Sequence, residues 1–184
     1  QSKSGGQDML NMSVKTELTD LTQVMEKLSS EAFVDKRKMS LFGASQGGVV
    51  ASLYAATYPD RVHKLLLIFP AFVLFDDAKE TYRELGSPEF DQLPDSLTNQ
   101  NVTLGKIYLI DALGIDIQSE LAKITAPTLI IHGTDDAVVP YQYAVEASQT
   151  IPNAELVTVE GGEHGIDERF AITAVPAIQK FLKE

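Results

Sequence analysis

The chain has 184 residues, of which 44% are hydrophobic and 22% charged, the composition of an ordinary globular domain with or without an insertion. Its net charge of −11 opposes phosphate backbones and anionic lipid, which excludes nucleic acid as an expected partner, and no apolar run approaches the ~18 residues of a membrane span. Cysteine is absent and there are three histidines, which removes disulfides, thiolate nucleophiles and Cys-based zinc sites and leaves little for a metal centre.

Residues 1–12 are polar and rich in Gly and Ser and read as a loop. From Ser13, a plausible N-cap, Val14, Leu18, Leu21, Met25 and Leu28 recur at three- and four-residue steps and predict a helix to about Ser29. Met39–Phe42 is a short apolar strand ending at Gly43. Gly47 to Tyr58 reads as helix, stopped by Pro59-Asp60. His63–Phe69, Thr128–Ile131 and Glu155–Val159 are three further strands, and Tyr141–Thr150 and Asp167–Leu182 are helical, with Pro176 expected to kink or interrupt the last. Apolar strands alternating with helices predict a parallel α/β sheet covered on both faces. Residues 71–123 break the rhythm. They hold ten acidic and four basic residues, include a helical stretch at Thr103–Ala112, and far exceed the dozen residues a crossover needs. The expectation is a cap over the strand ends, with 1–70 and 124–184 forming the core.

Gly43-Ala44-Ser45-Gln46-Gly47 is G-x-S-x-G set between an apolar strand and a helix, the context in which such a turn presents a serine nucleophile. A side chain at either flanking glycine is expected to clash. Ser45 would stand at a helix N-terminus, with the Gln46 backbone N–H aimed where an oxyanion forms. A serine hydroxyl needs a base. His164, in Gly161-Gly162-Glu163-His164-Gly165, follows the last strand and is the only histidine after any plausible acid. His63 precedes its strand and belongs at the opposite edge; His132 ends a strand and reads as a satisfied, half-buried histidine. The acid is Asp135 or Asp136, both in the turn after Thr128–Ile131.

Together, GASQGG, IHGTDDAVVP and EGGEHG resemble the α/β-hydrolase fold serine esterases, and more narrowly the bacterial cinnamoyl (feruloyl) esterases, which are themselves similar to monoacylglycerol lipases. The resemblance implies an α/β-hydrolase fold with Ser45 as nucleophile and His164 as base. It selects Asp136, at the strand-end G-x-x-D-x-x-V, as the acid. It also implies that Asp77 and Tyr108 hold the phenolic hydroxyl of a hydroxycinnamate. Phe72, Phe75, Tyr82 and Phe90 are candidates for an aromatic acyl pocket or for plain packing. The activity implied is hydrolysis of a carboxylic ester through an acyl-enzyme, with no metal and no cofactor, on a small-molecule substrate. A cytoplasmic location is expected, and a homodimer is left open. A lipase, thioesterase or peptidase of the same fold stays open, as does a non-catalytic binding protein on this scaffold.

The family places four strands and a loop carrying a second oxyanion donor ahead of the helix at 13–29. Here Ser2-Lys3-Ser4-Gly5-Gly6 looks like the tail of the glycine-rich loop that follows the fourth of those strands. The resemblance therefore implies an N-terminally truncated piece, with Met39–Phe42 left at a sheet edge and weak or no activity in isolation.

Overall fold

The computed structural model describes residues 9–99 and 102–183, so the proposed remnant of a glycine-rich loop at residues 2–6 lies outside the described residues. After a short 3-10 turn at Met9–Asn11, α1 (Val14–Ser30) opens on a capping box. The Ser13 hydroxyl accepts from the Thr16 N–H, and the Thr16 hydroxyl oxygen accepts from the Ser13 N–H. The chain continues through β1 (Leu41–Ala44), α2 (Gln46–Thr57), β2 (Leu65–Ile68) and α3 (Leu74–Glu84). The hairpin β3 (Ser96–Asn99) and β4 (Val102–Gly105) follows, then α4 (Lys106–Leu113) and α5 (Ile117–Leu121). β5 (Thr128–Gly133), α6 (Gln142–Thr150), β6 (Ala154–Val159) and α7 (Glu168–Lys183) complete it.

The main sheet has the order β1-β2-β5-β6, every neighbouring pair parallel. With the helices on both faces this is the α/β-hydrolase fold. All four residues of β2 are buried, because alternate side chains feed different cores. Leu65 and Leu67 join Ile130 and residues from α1, α2, α3, α5 and α6 in one cluster. Leu66 and Ile68 join Leu129, Ile131 and the α7 residues Phe170, Ala174 and Phe181 in the other. Among the described residues β1 is a sheet edge, and its Phe42 is 59% exposed. No described helix is long and apolar enough to cross a membrane.

Three details differ from the reading of the sequence. The predicted helix at Thr103–Ala112 begins only at Lys106; Val102–Gly105 is instead the second strand of the hairpin. Gly105 cannot carry a side chain there, since a Cβ would overlap the Leu10 carbonyl. α7 runs through Pro176 without interruption, the proline sitting on the exposed side. Residues 71–123 do not build a separate core: Phe72, Phe75, Leu109 and Leu121 belong to the same cluster as Leu65 and Leu67. Of the four aromatic candidates, Phe72 and Phe75 are thus core, while Tyr82 packs edge-on against Phe90.

Candidate active site

The site is assembled at the C-terminal ends of β1, β5 and β6. Ser45 follows β1 with φ 51° and ψ −126°, a conformation that an L residue holds at an energy of about 1–3 kcal/mol. The turn is fixed on both sides: the Ser45 N–H donates to the Ile68 carbonyl, and the Ser45 carbonyl accepts from Gly48 and Ala71. Gly43 is required sterically, because a Cβ there would come within 2.4 Å of the Gly47 carbonyl oxygen. The same expectation fails at Gly47, whose Cβ position has nothing within 4 Å; the second crowded glycine is Gly48, against Pro70 at 2.9 Å. Gln46 is the first residue of α2, so its N–H has no acceptor inside the helix and stands beside the serine.

Asp136 lies in the turn after β5 and is 5% exposed. Its Oδ1 accepts from the Val138 and Val139 N–H groups at 2.9 and 2.8 Å. Its Oδ2 accepts from His164 Nδ1 at 2.7 Å. His164 Nε2 lies 3.1 Å from Ser45 Oγ. The carboxylate accepts the Nδ1 proton, which leaves Nε2 as the acceptor for the serine hydroxyl. His164 reaches this point because the loop after β6 lies directly on the end of β5: a Cβ on Gly133 would overlap the Gly162 carbonyl. The Asp135 N–H donates to that carbonyl, and the Gly161 N–H to the Thr134 hydroxyl. Asp135 itself is exposed, and His63 is exposed just ahead of β2, at the other end of the strands.

His132 departs from expectation. It is fully buried, not half-buried. Nε2 meets the Val139 carbonyl at 2.9 Å and lies 3.3 Å from Asp136 Oδ2, so the proton is on Nε2 and Nδ1 has no partner. Burial is the largest influence and holds the imidazole below its ordinary pKa. Phe69, which the sequence reading passed over, is a positive-φ residue (36°) at the end of β2. Its ring packs 4.5 Å from that of His164 and also touches Phe170. Its only local signal was its place at the end of an apolar strand.

Tyr108, on α4, is half-buried, and its hydroxyl donates to Gln46 Oε1 at 2.8 Å. Burial, then the charges of Glu17 and Asp77, push the phenol up to about 12. Asp77 is on the exposed side of α3, its carboxyl raised by partial burial and then by Glu80 and Asp76. Gln46 Nε2 donates to Glu17 Oε2 at 2.7 Å. Among the described residues no group of three or more His, Asp or Glu side chains is placed to hold a metal ion.

Carboxylate, imidazole and hydroxyl thus stand in one hydrogen-bonded line, with a helix N-terminus beside the hydroxyl. The family model of the prolyl oligopeptidase family matches residues 8–184. The chain belongs to that family. The solved structure of Est1E from Butyrivibrio proteoclasticus superposes with a TM-score of 0.83 at 29% identity, covering 94% of this chain and 70% of Est1E. A second structure of Est1E has ferulic acid bound, and matches with a TM-score of 0.81 at 27% identity over 95% of this chain and 69% of that one. The AB hydrolase superfamily protein YisY of Bacillus subtilis is 30% identical over 68% of this chain. The non-heme chloroperoxidase CPO-A1 of Kitasatospora aureofaciens is 47% identical over 34% of it. The chain spans 59% of the length of YisY and 23% of that chloroperoxidase.

Proposed function

We propose that this protein hydrolyses carboxylic esters through an acyl-enzyme, with a hydroxycinnamoyl group as the acyl part. Ser45 Oγ attacks the ester carbonyl carbon while its proton passes to His164 Nε2. The Gln46 N–H stabilises the developing oxyanion. Collapse expels the alcohol, which takes the proton from Nε2. Water then attacks the acyl-enzyme by the same route, and the acid leaves as Ser45 recovers its proton. Asp136 keeps His164 in the required tautomer and balances the imidazolium. The observation that carries this reading is the unbroken relay, 3.1 Å from Ser45 to His164 and 2.7 Å from His164 to Asp136.

The hydroxycinnamate assignment draws on the likeness to Est1E, which has been solved with ferulic acid, and on Tyr108 and Asp77. In this reading segment 71–123 is a cap whose α3 and α4 bring those two residues over the elbow. A second reading, peptide-bond hydrolysis by the same relay, is favoured by the prolyl oligopeptidase family match.

The test is turnover of p-nitrophenyl butyrate, methyl ferulate, a monoacylglycerol and a peptide p-nitroanilide, together with labelling by a fluorophosphonate. Labelling and ester turnover that both vanish in Ser45→Ala, with methyl ferulate preferred, is the expected result. Loss of activity should be on the order of 10⁴-fold or more. Equal turnover by Ser45→Ala, or preferred cleavage of the anilide, overturns the assignment.

A further inference from the structure

The hydrogen bonds around Gln46 have a fixed direction. Glu17 sits on α1, and a carboxylate can only accept. The amide nitrogen of Gln46 must therefore face it, as the 2.7 Å contact with Glu17 Oε2 records. The Met12 sulfur, 3.6 Å from the same nitrogen, is a second group that accepts and cannot donate. With the nitrogen committed, Gln46 Oε1 points to Tyr108, and the tyrosine must spend its only proton on it at 2.8 Å. What Tyr108 has left for a ligand is a lone pair. Asp77, whose charge is felt at the Tyr108 phenol, is also an acceptor when ionised.

We propose that Glu17 is a positioning residue that sets the polarity of the acyl pocket, making Tyr108 an acceptor so that the site selects aromatic acyl groups carrying a hydroxyl donor over those carrying an ether. The inference rests on the hydroxycinnamate reading above. It goes further in assigning a residue on α1, remote from the acyl group, to that choice. A ligand phenol donates into the Tyr108 lone pair. A methoxy oxygen in the same place faces lone pair against lone pair, and its burial leaves both unsatisfied. Glutamine at position 17 can offer either polarity. It lets the Gln46 amide turn over, present its nitrogen to Tyr108, and free the phenol proton for the ligand.

The experiment uses binding, so that it does not depend on turnover. Methyl 4-hydroxycinnamate and methyl 4-methoxycinnamate are titrated against the Ser45→Ala protein, against Ser45→Ala with Glu17→Gln, and against Ser45→Ala with Tyr108→Phe. The hydroxy ester is expected to bind about tenfold tighter to Ser45→Ala, the size of one well-made against one unmade hydrogen bond. With Glu17→Gln the ratio is expected to fall to about threefold or less, because the methoxy ester gains a donor. The bulk of the methoxy group is the same in both proteins and drops out of that comparison. Tyr108→Phe is expected to lower the ratio as well, through weaker binding of the hydroxy ester. No preference in Ser45→Ala overturns the proposal, as does a ratio unmoved by Glu17→Gln. Should that variant not fold, a ratio unmoved by Tyr108→Phe overturns it. Turnover of p-nitrophenyl butyrate by the unsubstituted protein reads the esterase assignment separately: hydrolysis without the binding preference removes only the present inference, and the preference without hydrolysis removes only the assignment.

Discussion

Asp136 is held by more donors than a hydrolytic relay needs. Besides His164 and two backbone N–H groups, His132 turns a second imidazole toward it. His132 bridges the Val139 carbonyl and the Asp136 carboxylate across the turn that carries the acid, while its own Nδ1 has no partner. A proton added at Nδ1 would be a buried charge, and burial keeps the group below its ordinary value in the folded protein. In the unfolded chain the same imidazole takes up a proton near pH 6.5. Below that pH the unfolded state binds more protons, so stability falls as pH falls, and this contribution levels off only below the folded pKa. The slope this group can add is at most about 1.4 kcal/mol per pH unit. Urea denaturation between pH 7.5 and 5 should show that decline in the unsubstituted protein. His132→Gln, whatever its stability at pH 7.5, should show a shallower one. Equal slopes would mean that the imidazole takes up its proton in the fold as readily as in the unfolded chain. The sequence places His132 at the end of a strand and before a glycine, but cannot show that the loop from Asp136 to Val139 closes over it. Its burial depends on where a later turn comes to rest.

At the scale of elements, the strand–turn–helix around Ser45 is tightly constrained. Its two glycines of the motif are not equivalent. Alanine at 43 would press its Cβ into backbone, 2.4 Å from the Gly47 carbonyl oxygen and 2.7 Å from Gly48 Cα, with no flexible side chain to give way. Alanine at 47 meets nothing within 4 Å and lies in the first turn of α2. Gly43→Ala should destabilise by about 3 kcal/mol or prevent folding, whereas Gly47→Ala should be neutral or stabilise by up to about 1 kcal/mol. Denaturation midpoints of the two variants decide this, and comparable losses would restore the symmetric reading of the motif. The elbow itself was legible because everything that signals it is contiguous: an apolar strand, a tight turn, a helix. The sheet was legible for the same reason, since each strand is a short apolar run. The hairpin at β3 and β4 was not. Val102-Thr103-Leu104 fits a strand or a helix by local pattern alone, and what decides between them is pairing with Ser96–Asn99. α7 passes Pro176 because its buried stripe, Phe170, Ala174 and Phe181, lies on the other side of the helix and holds it to the sheet regardless.

Across the whole molecule, α4 is joined to the start of α1 by two ties, one through Gln46 and one direct. One is Glu17–Gln46–Tyr108. The other joins Ser13 and Lys15 to Asp111. The Ser13 hydroxyl, fully buried at the N-cap of α1, donates to Asp111 Oδ2 at 2.5 Å, and Lys15 Nζ lies 3.2 Å from Oδ1. The pairing of Ser13 with Asp111 is not visible in the chain as a string, because the two are 98 residues apart and an N-cap signal at Ser13 says nothing of a partner on α4. The two partners of Asp111 are worth different amounts. The buried hydroxyl loses a charged acceptor if the carboxylate goes, at a cost of roughly 2–3 kcal/mol. The lysine is half exposed and its ion pair contributes less than about 1 kcal/mol. Asp111→Ala should therefore destabilise by about 2–3 kcal/mol, while Asp111→Asn, which keeps an oxygen for Ser13, should lose about 1 kcal/mol or less. Amide hydrogen exchange locates the effect. In Asp111→Ala the amides of α4 should exchange faster relative to those of β5, whose strand is buried throughout. If α4 and β5 instead quicken together, the tie supports the fold at large and does not specifically hold α4 over Ser45. Tyr108 would then owe its place to the packing of Leu109 and Ala112 in the shared core.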